Sequence, residues 1–294
     1  MVYFITDSVA DLSAETIEEF GITVVPTPVV IDGTRYLDGE TLSPDELFRI
    51  MGDGQHTIET HHATPATFEE VFLPFAKEGK AVICLCMSSG IGNNYDAAKI
   101  AQYSVEEVYP DFDLTIINTK CASAGYGLMV YKLAQMQRQG ADKEQLLKAA
   151  DFYVNHIRHS FVITRLQYFM KNGRIEKGIA QIGDSLDLKP VMHVDEEGSL
   201  QLQIPMHGTQ KALDYMVERA EKTGVSFHDQ TIAFCYWDDQ ADLDYIVNAV
   251  KERLAPASIR ISKIGCAIGA HSGSGIIGMC YLDADDSDFR LGNG

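Results

Sequence analysis

Two adjacent serines stand at the point where an apolar run gives way to a glycine turn. The run Ala81–Met87 is followed by Ser88 and Ser89, and then by Gly90 and Gly92. This order is typical of a buried strand that ends in a polar turn before a helix begins. In an open parallel sheet, ligands bind beyond the carboxyl ends of such strands. The serine hydroxyls and the N–H groups beside the glycines therefore indicate a site for an anion or a carboxyl group.

Other polar segments stand where predicted strands end, and they offer the same kind of group. They are Thr6-Asp7-Ser8, Thr60, Thr119 and, in the second half, the glycine-rich segment Gly269–Gly275. Two interpretations remain open, because Ser and Thr also cap helices that follow strands. The Ser-Ser-Gly tip favours ligand binding, since one cap needs only one hydroxyl.

Nucleophilic catalysis is the alternative function that the same residues allow. A small hydrolase or phosphotransferase would use Ser88, Ser89 or Cys121 as its nucleophile. The candidate bases for Cys121 are His61, His62 and His271, and the spacing pairs none of them with it. No ligand spacing indicates zinc. The segment Gly269–Gly275 precedes a strand and no lysine follows its glycines, so it does not predict a nucleotide site.

Composition excludes several classes of partner. The 294 residues carry a formal net charge of -18, which argues against nucleic acid and anionic membranes as partners. The chain has no apolar run long enough to span a bilayer, and its N-terminus does not read as a signal peptide. Its six cysteines are dispersed without a C-x-x-C pair. We therefore expect a cytoplasmic protein with reduced thiols and no bound metal.

The order of elements predicts an α/β protein in two parts. Strands alternate with helices up to about residue 160, which predicts a doubly wound, mostly parallel sheet domain over 1–160. Residues 161–294 mix hairpins with helices and predict an α+β domain with a mixed or antiparallel sheet, the ligand lying between the two. Three local elements are also predicted. Ile22–Ile31 should form one strand at the edge of a sheet, because its two prolines cannot donate to a ladder. Lys143–His159 should form a helix, and Gly265–Gly275 should form a loop.

The residue pattern resembles the DegV family of bacterial fatty-acid-binding proteins, which includes the subunits that present fatty acids to a fatty acid kinase. Seven blocks in family order carry the resemblance over nearly the whole chain. They are Thr6-Asp7-Ser8 with Asp11-Leu12, Thr60–Phe68, Ser88-Ser89-Gly90 with Tyr95, Asn118–Gly127, Lys171–Ile175, Leu188-Lys189-Pro190 and Gly269–Gly278.

The resemblance implies two α/β domains and a long-chain fatty acid whose carboxyl group is held by hydroxyls. Carried over by position, the ligand-binding residues are Thr60 or His61, together with Ser89 in the turn Ser88-Ser89-Gly90. His271 falls on the family's histidine in the C-terminal glycine-rich segment. Arg174 falls on an arginine that looks like a contact to the kinase. The resemblance implies no catalytic residue and no cofactor in this chain, the chemistry being left to the partner.

The sequence departs from the family pattern in two places. The family usually has Thr-Ser-Gln-Pro where this chain has Thr60-His61-His62-Ala63, and Ser-Gly-Thr is common where it has Gly92-Asn93-Asn94. An imidazole thus replaces one hydroxyl, while Ser89 is unchanged. A third interpretation, binding of another anionic metabolite, differs from the lipid interpretation in the size and apolarity of its ligand.

Overall fold

The computed structural model describes residues 1–52, 54–165 and 187–290. The strands are β1 (Val2–Asp7), β2 (Thr23–Val25), β3 (Pro28–Ile31), β4 (Thr34–Leu37), β5 (Ile58–Thr60), β6 (Ala81–Cys86), β7 (Leu114–Asn118), β8 (Ile157–Ile163), β9 (Leu188–Val194), β10 (Leu200–His207), β11 (Thr231–Tyr236), β12 (Ser258–Lys263) and β13 (Ile276–Leu282). The helices are α1 (Ala14–Phe20), α2 (Pro44–Gly52), α3 (Pro65–Lys77), α4 (Asn94–Val108), α5 (Ser123–Arg138), α6 (Lys143–His156), α7 (Thr209–Thr223), α8 (Gln240–Arg253) and α9 (Cys266–Ser272).

The first half of the chain is built on a parallel sheet with strand order β2-β1-β6-β7. Alternation along β6 divides its side chains between the two faces of the sheet. Cys84 and Cys86 pack in one core with Phe68 and Phe72 of α3, whereas Ile83 and Leu85 belong to a second core that includes α5. Helices therefore cover both faces, which confirms the predicted α/β class.

The second half is built on a mixed sheet with strand order β10-β9-β8-β13-β11-β12. Only β11 and β12 pair in parallel among its described pairings, and the others are antiparallel. One face packs against α7 and α8 through residues such as Val162, Phe234 and Met279. The opposite face points towards α5 and α9, and Cys235 and Cys280 lie on it. The prediction of a mixed sheet in the second half is confirmed.

The segment Ile22–Ile31 does not form the single edge strand that was expected. Its first part is β2, which does lie at the edge of the parallel sheet. Its second part, β3, is the middle strand of a separate antiparallel sheet with order β4-β3-β5. The break falls at Pro26 and Thr27, because Pro26 has no N–H for a ladder and the N–H of Thr27 donates to Ser8 Oγ at 3.0 Å.

Two other expectations require correction. The helix predicted over Lys143–His159 ends at His156, and the residues after it form β8, which pairs with both β9 and β13. The glycine-rich segment is not a loop throughout, because α9 occupies Cys266–Ser272. The predicted domain division at residue 160 falls within β8 and stays a prediction.

Candidate functional site

An apolar cavity lies between α5, α9 and the mixed sheet. Its volume is about 90 Å³, which is below the range of about 300–1,000 Å³ typical of small-molecule pockets. Both halves of the chain contribute, and the principal apolar side chains are Ile91, Phe161, Leu200, Ile264, Ile268 and Ile276. The lining of the cavity is therefore suited to contact with a hydrocarbon group.

Thr60 and His271 meet beside this cavity, although 211 residues separate them in the chain. The hydroxyl of Thr60, the last residue of β5, lies 2.5 Å from Nε2 of His271 in the last turn of α9. His271 also lines the cavity. An imidazole at the wall of an apolar space, with a hydroxyl beside it, can hydrogen-bond to the polar end of an apolar molecule.

Two buried carboxylates hold α9 in place. Asp38 accepts hydrogen bonds from the N–H groups of Cys266 at 2.7 Å and Ala267 at 3.2 Å, and Asp11 accepts one from Gly265 at 2.9 Å. Negative charge is favoured at this end of a helix, where the first N–H groups have no helical partner. Burial nevertheless raises the pKa of both Asp11 and Asp38. These contacts fix the helix that carries His271.

The Ser88–Gly92 turn contacts the hairpin between β9 and β10. The Ser88 hydroxyl is buried and donates to the carbonyl of Gly198 at 2.7 Å. Gly90 has no room for a side chain, because an added Cβ would lie 2.7 Å from the same carbonyl oxygen. Ser89 is exposed, and its hydroxyl accepts a hydrogen bond from Asn118 at 2.7 Å. Ile91 is the residue by which this turn reaches the cavity.

His61 is placed away from the Thr60–His271 pair. Neighbouring side chains of an extended segment point to opposite sides. The His61 side chain is 58% exposed and lies 3.8 Å from the carboxylate of Glu59. Of the predicted ligand-binding residues, the structure thus brings Thr60 and His271 into contact and directs His61 to solvent. Arg174 lies outside the described residues.

The tip of β1 supports the fold around the site. Asp7 is fully buried and accepts hydrogen bonds from the N–H groups of Met87 at 2.9 Å and Val9 at 3.1 Å. Its burial raises the pKa of this carboxyl to about 6. The Thr6 hydroxyl donates to the Tyr126 phenol oxygen at 2.5 Å. These groups connect β1 to β6 and α5. The polar residues Thr6 and Asp7 at the end of β1 therefore stabilise the fold.

His159 of β8 is a cavity residue that the sequence analysis missed. Its side chain is buried, which lowers the pKa of the imidazole to about 4 and keeps it neutral. The β-branched and aromatic residues of Ile157–Ile163 are the weak signal that could have identified it, since a strand there places residues 159, 161 and 163 on one face. Asp38 was missed as well, and no local signal marks it.

The described residues contain neither a group of metal-ligating side chains nor a membrane-spanning helix. Among them, no three His, Cys, Asp or Glu side chains are placed to hold a metal ion. No helix in the described part of the chain has the length and apolarity needed to cross a bilayer. All six cysteines are free and buried thiols.

Comparison with known proteins gives a match over nearly the full chain. A family model described as "Uncharacterised protein, DegV family" matches residues 1–284. The chain belongs to the DegV family. A DegV domain-containing protein of Clostridium perfringens is 29% identical over 279 residues, which are 94% of this chain and 96% of that protein.

Solved DegV structures share the fold. A DegV family protein from Thermus thermophilus, described by its fatty acid binding, has a TM-score of 0.86 at 23% identity, over 96% of this chain and 99% of that one. The Streptococcus pneumoniae Fatty Acid Kinase (Fak) B3 protein, loaded with linoleic acid, has a TM-score of 0.84 at 19% identity, over 97% and 100% of the two chains. At these identities the likeness shows the fold.

The two departures from the DegV pattern contact each other in this chain. Nδ1 of His62 accepts a hydrogen bond from the N–H of Asn93 at 3.3 Å. The N–H of Ala63 donates to the side-chain oxygen of Asn94 at 3.2 Å. An added Cβ on Gly92 would lie 3.7 Å from the His62 ring. Both changes therefore belong to one contact between the segment after β5 and the start of α4.

Proposed function

We propose that this protein binds a long-chain fatty acid in the cavity and presents it to a fatty acid kinase. The observation that carries the proposal is an apolar cavity that His271 lines, with the Thr60 hydroxyl in hydrogen-bond contact with that histidine. The acyl chain would occupy the apolar space, which would have to widen to take its whole length. The carboxyl group would replace part of the Thr60–His271 hydrogen bond. Ser89, whose hydroxyl is exposed, is the second proposed carboxyl ligand.

The free energies of burial and ordering support a ligand whose affinity comes mainly from its hydrocarbon tail. Burial of about fifteen methylenes at ~0.8 kcal/mol each contributes about 12 kcal/mol. Lost translational freedom and ordering oppose binding by roughly 4–15 kcal/mol. Hydroxyls at the head need only keep the carboxylate from being buried without hydrogen bonds.

The hydrolase and phosphotransferase alternatives find less support in the geometry. Cys121 is buried, and burial raises the pKa of its thiol, which disfavours the nucleophilic thiolate. The Ser88 hydroxyl donates to a backbone carbonyl. We propose that the partner kinase phosphorylates the carboxylate, and that this chain binds and orients the acid. Arg174, assigned from the family resemblance, is the proposed contact to that kinase.

The binding proposal is tested by identifying the ligand. The purified protein is denatured and extracted with organic solvent, and the extract is analysed by mass spectrometry. A near-stoichiometric long-chain fatty acid is expected, and oleate or palmitate should raise the melting temperature of delipidated protein. A clean extract together with no thermal shift would contradict the proposal.

A pair of variants tests the position of the carboxyl group. Thr60→Val removes the hydroxyl and keeps the shape, so it should weaken oleate binding about tenfold, since a hydrogen bond to a charged group contributes about 1.5–3 kcal/mol. Thr57→Val, at an exposed position just before β5, is the matched control and should bind normally. Equal oleate affinities of the two variants would contradict the proposal that the carboxyl group contacts Thr60.

The kinase step needs a separate assay. A fatty acid kinase, ATP and the loaded protein should together yield acyl phosphate, whereas the loaded protein with ATP alone should not. Arg174→Ala should lower the yield and leave fatty acid binding unchanged. A normal yield from this variant would remove Arg174 from the interface.

A further inference from the structure

His159 is an exception in the wall of the cavity. In the β8–β13 ladder, His159 pairs with Cys280 and Phe161 pairs with Gly278, and all four residues line the cavity. The neighbouring Val162 points to the opposite face and packs in the core beneath α7 and α8. The imidazole therefore stands among apolar side chains and thiols.

Two of the three serine hydroxyls of the cavity residues are already engaged. Ser123 donates to Asp11 at 2.5 Å, and Ser272 donates to the carbonyl of Gly273 at 3.2 Å. Ser160 also borders the cavity, and its buried hydroxyl has no hydrogen-bond partner among the described residues. Its side chain, however, belongs to the face of β8 that Val162 shares, because alternate residues of a strand share a face. On the face of β8 that carries His159 and Phe161, the polar group left to a ligand tail is thus the His159 ring.

Hydrogen bonding determines which ring nitrogen of His159 can donate. Nε2 accepts a hydrogen bond from the N–H of Ala122 at 3.5 Å. Gly125 makes this approach possible, because a Cβ there would lie 2.2 Å from Nε2. In the neutral ring the hydrogen then resides on Nδ1. No described residue accepts a hydrogen bond from Nδ1.

A plain hydrocarbon tail would leave this donor buried without a partner, which is unfavourable. A tail that carries a hydroxyl or keto oxygen would accept its hydrogen bond. We propose that the cavity selects oxygenated long-chain fatty acids, and that His159 determines this selectivity by donating from Nδ1 to an oxygen on the acyl chain. The inference rests on the proposed fatty-acid-binding function and names the class of acid.

The test compares stearate with 10-hydroxystearate and 12-hydroxystearate, three probes of the same chain length. Dissociation constants are measured by calorimetry on delipidated full-length protein. Wild-type protein should bind at least one hydroxystearate tenfold or more tightly than stearate. The preferred isomer reports how far along the chain the oxygen meets His159.

Two variants separate the donor from the rest of the ring. In His159→Gln, the side-chain amide reaches the position of Nε2, so it keeps a partner for Ala122 and loses the donor at Nδ1. It should bring the affinity ratio to about one. In His159→Asn, the amide reaches the position of Nδ1 and should retain the preference. Cys280→Ala, on the neighbouring strand, is the control, and it should weaken all three ligands alike.

Each outcome decides the proposal. Equal affinity of wild-type protein for stearate and both hydroxystearates would overturn it and leave fatty acid binding standing. A preference that survives in His159→Gln would also overturn it. If none of the three acids binds, both the inference and the proposed function fail. If His159→Gln does not fold, loss of the preference in His159→Asn overturns the proposal, and its retention there supports it.

Discussion

The Asp38 carboxylate accepts a hydrogen bond from the backbone N–H of Cys266 at 2.7 Å, across 228 residues of chain. Asp38 follows β4 of the small antiparallel sheet, and Cys266 begins α9. Its other oxygen accepts from Ala267 and from the Ser8 hydroxyl. One buried side chain thus joins the small sheet, the tip of β1 and the helix that carries His271.

Replacement of Asp38 by alanine should destabilise the protein. The N–H groups of Cys266 and Ala267 would remain buried without their acceptor, and such losses cost about 1–3 kcal/mol each. We expect the free energy of unfolding to fall by at least about 2 kcal/mol, measured by urea denaturation. Asp45→Ala is the control, because Asp45 is exposed and its ion pair with Lys263 contributes at most about 1 kcal/mol. Equal effects of the two substitutions would contradict this role of Asp38.

Asp7 should make the protein less stable as pH rises through the weakly acidic range. The pKa of Asp7 is about 6 in the folded protein against an ordinary value of 3.8. Between these values the folded state holds a proton that the unfolded state has lost, so the free energy of unfolding falls by about 3 kcal/mol as pH rises from about 4 to about 6.

The comparison of pH profiles checks this expectation. Asp7→Asn cannot titrate, so its profile should lack this fall. The control is Asp195→Asn, because backbone hydrogen bonding from Ser199 lowers the pKa of Asp195 and moves its titration below this interval. A profile of Asp7→Asn that parallels the wild type would refute the assignment.

His159 should contribute a pH dependence of the opposite sign. Burial lowers the pKa of His159 to about 4, whereas the ordinary value is 6.5. Between these values only the unfolded chain is protonated, so stability rises by about 3 kcal/mol as pH rises from about 4 to 6.5. His159→Gln should lose this rise, as measured by chemical denaturation at a series of pH values. A change of slope in the same direction as that of Asp7→Asn would contradict the prediction.

Gly269 of α9 should not tolerate a side chain. A Cβ at this position would lie 1.1 Å from the ring of Trp237, which is fully buried. Overpacking of this kind costs about 1–3 kcal/mol, so Gly269→Ala should lower stability although alanine favours helix formation. Trp237 is the only tryptophan, and its fluorescence reports the displacement directly.

A second glycine provides the control for Gly269. Gly52 ends α2 and has no atom within 4 Å of an added Cβ, so Gly52→Ala should leave the emission spectrum unchanged. Its stability should stay equal or rise by up to about 1 kcal/mol. An unshifted spectrum in Gly269→Ala would show that the ring is not held against α9.

Local signals predicted most elements but not those that depend on distant contacts. The apolar run Ala81–Met87 forms the buried strand that it predicts, β6 over Ala81–Cys86, and strands alternate with helices in the first half as expected. The sequence of β8 reads as a continuation of α6, because pairing with β9 and β13 decides its conformation. The turn of chain at Pro26 likewise depends on Ser8.

The sequence indicates which kinds of group the candidate site contains, but it indicates only some of the residues that the structure places there. Thr60 and His271 were identified from the family pattern, and their contact is visible only in three dimensions. The hydroxyl of Ser88 donates a hydrogen bond to the carbonyl of Gly198, which is 110 residues away and which no spacing rule indicates as its partner. His159 was missed because the segment that contains it was predicted as a helix and forms β8. Asp38 was missed because it accepts hydrogen bonds from backbone groups more than 200 residues away in the chain.

The core that lies between the two large sheets has a consequence for how the chain can fold and evolve. Leu85 of the parallel sheet and Ile163 and Leu282 of the mixed sheet belong to the same hydrophobic cluster. Separating the sheets would expose the apolar side chains of that cluster to water. It would also remove the hydrogen bonds that the carboxylates of Asp11 and Asp38 accept from the start of α9. The chain should therefore melt in one cooperative transition. Each half buries apolar side chains of the other half. A recombinant that joins two relatives at residue 160 would therefore need side chains that still pack together in this common core.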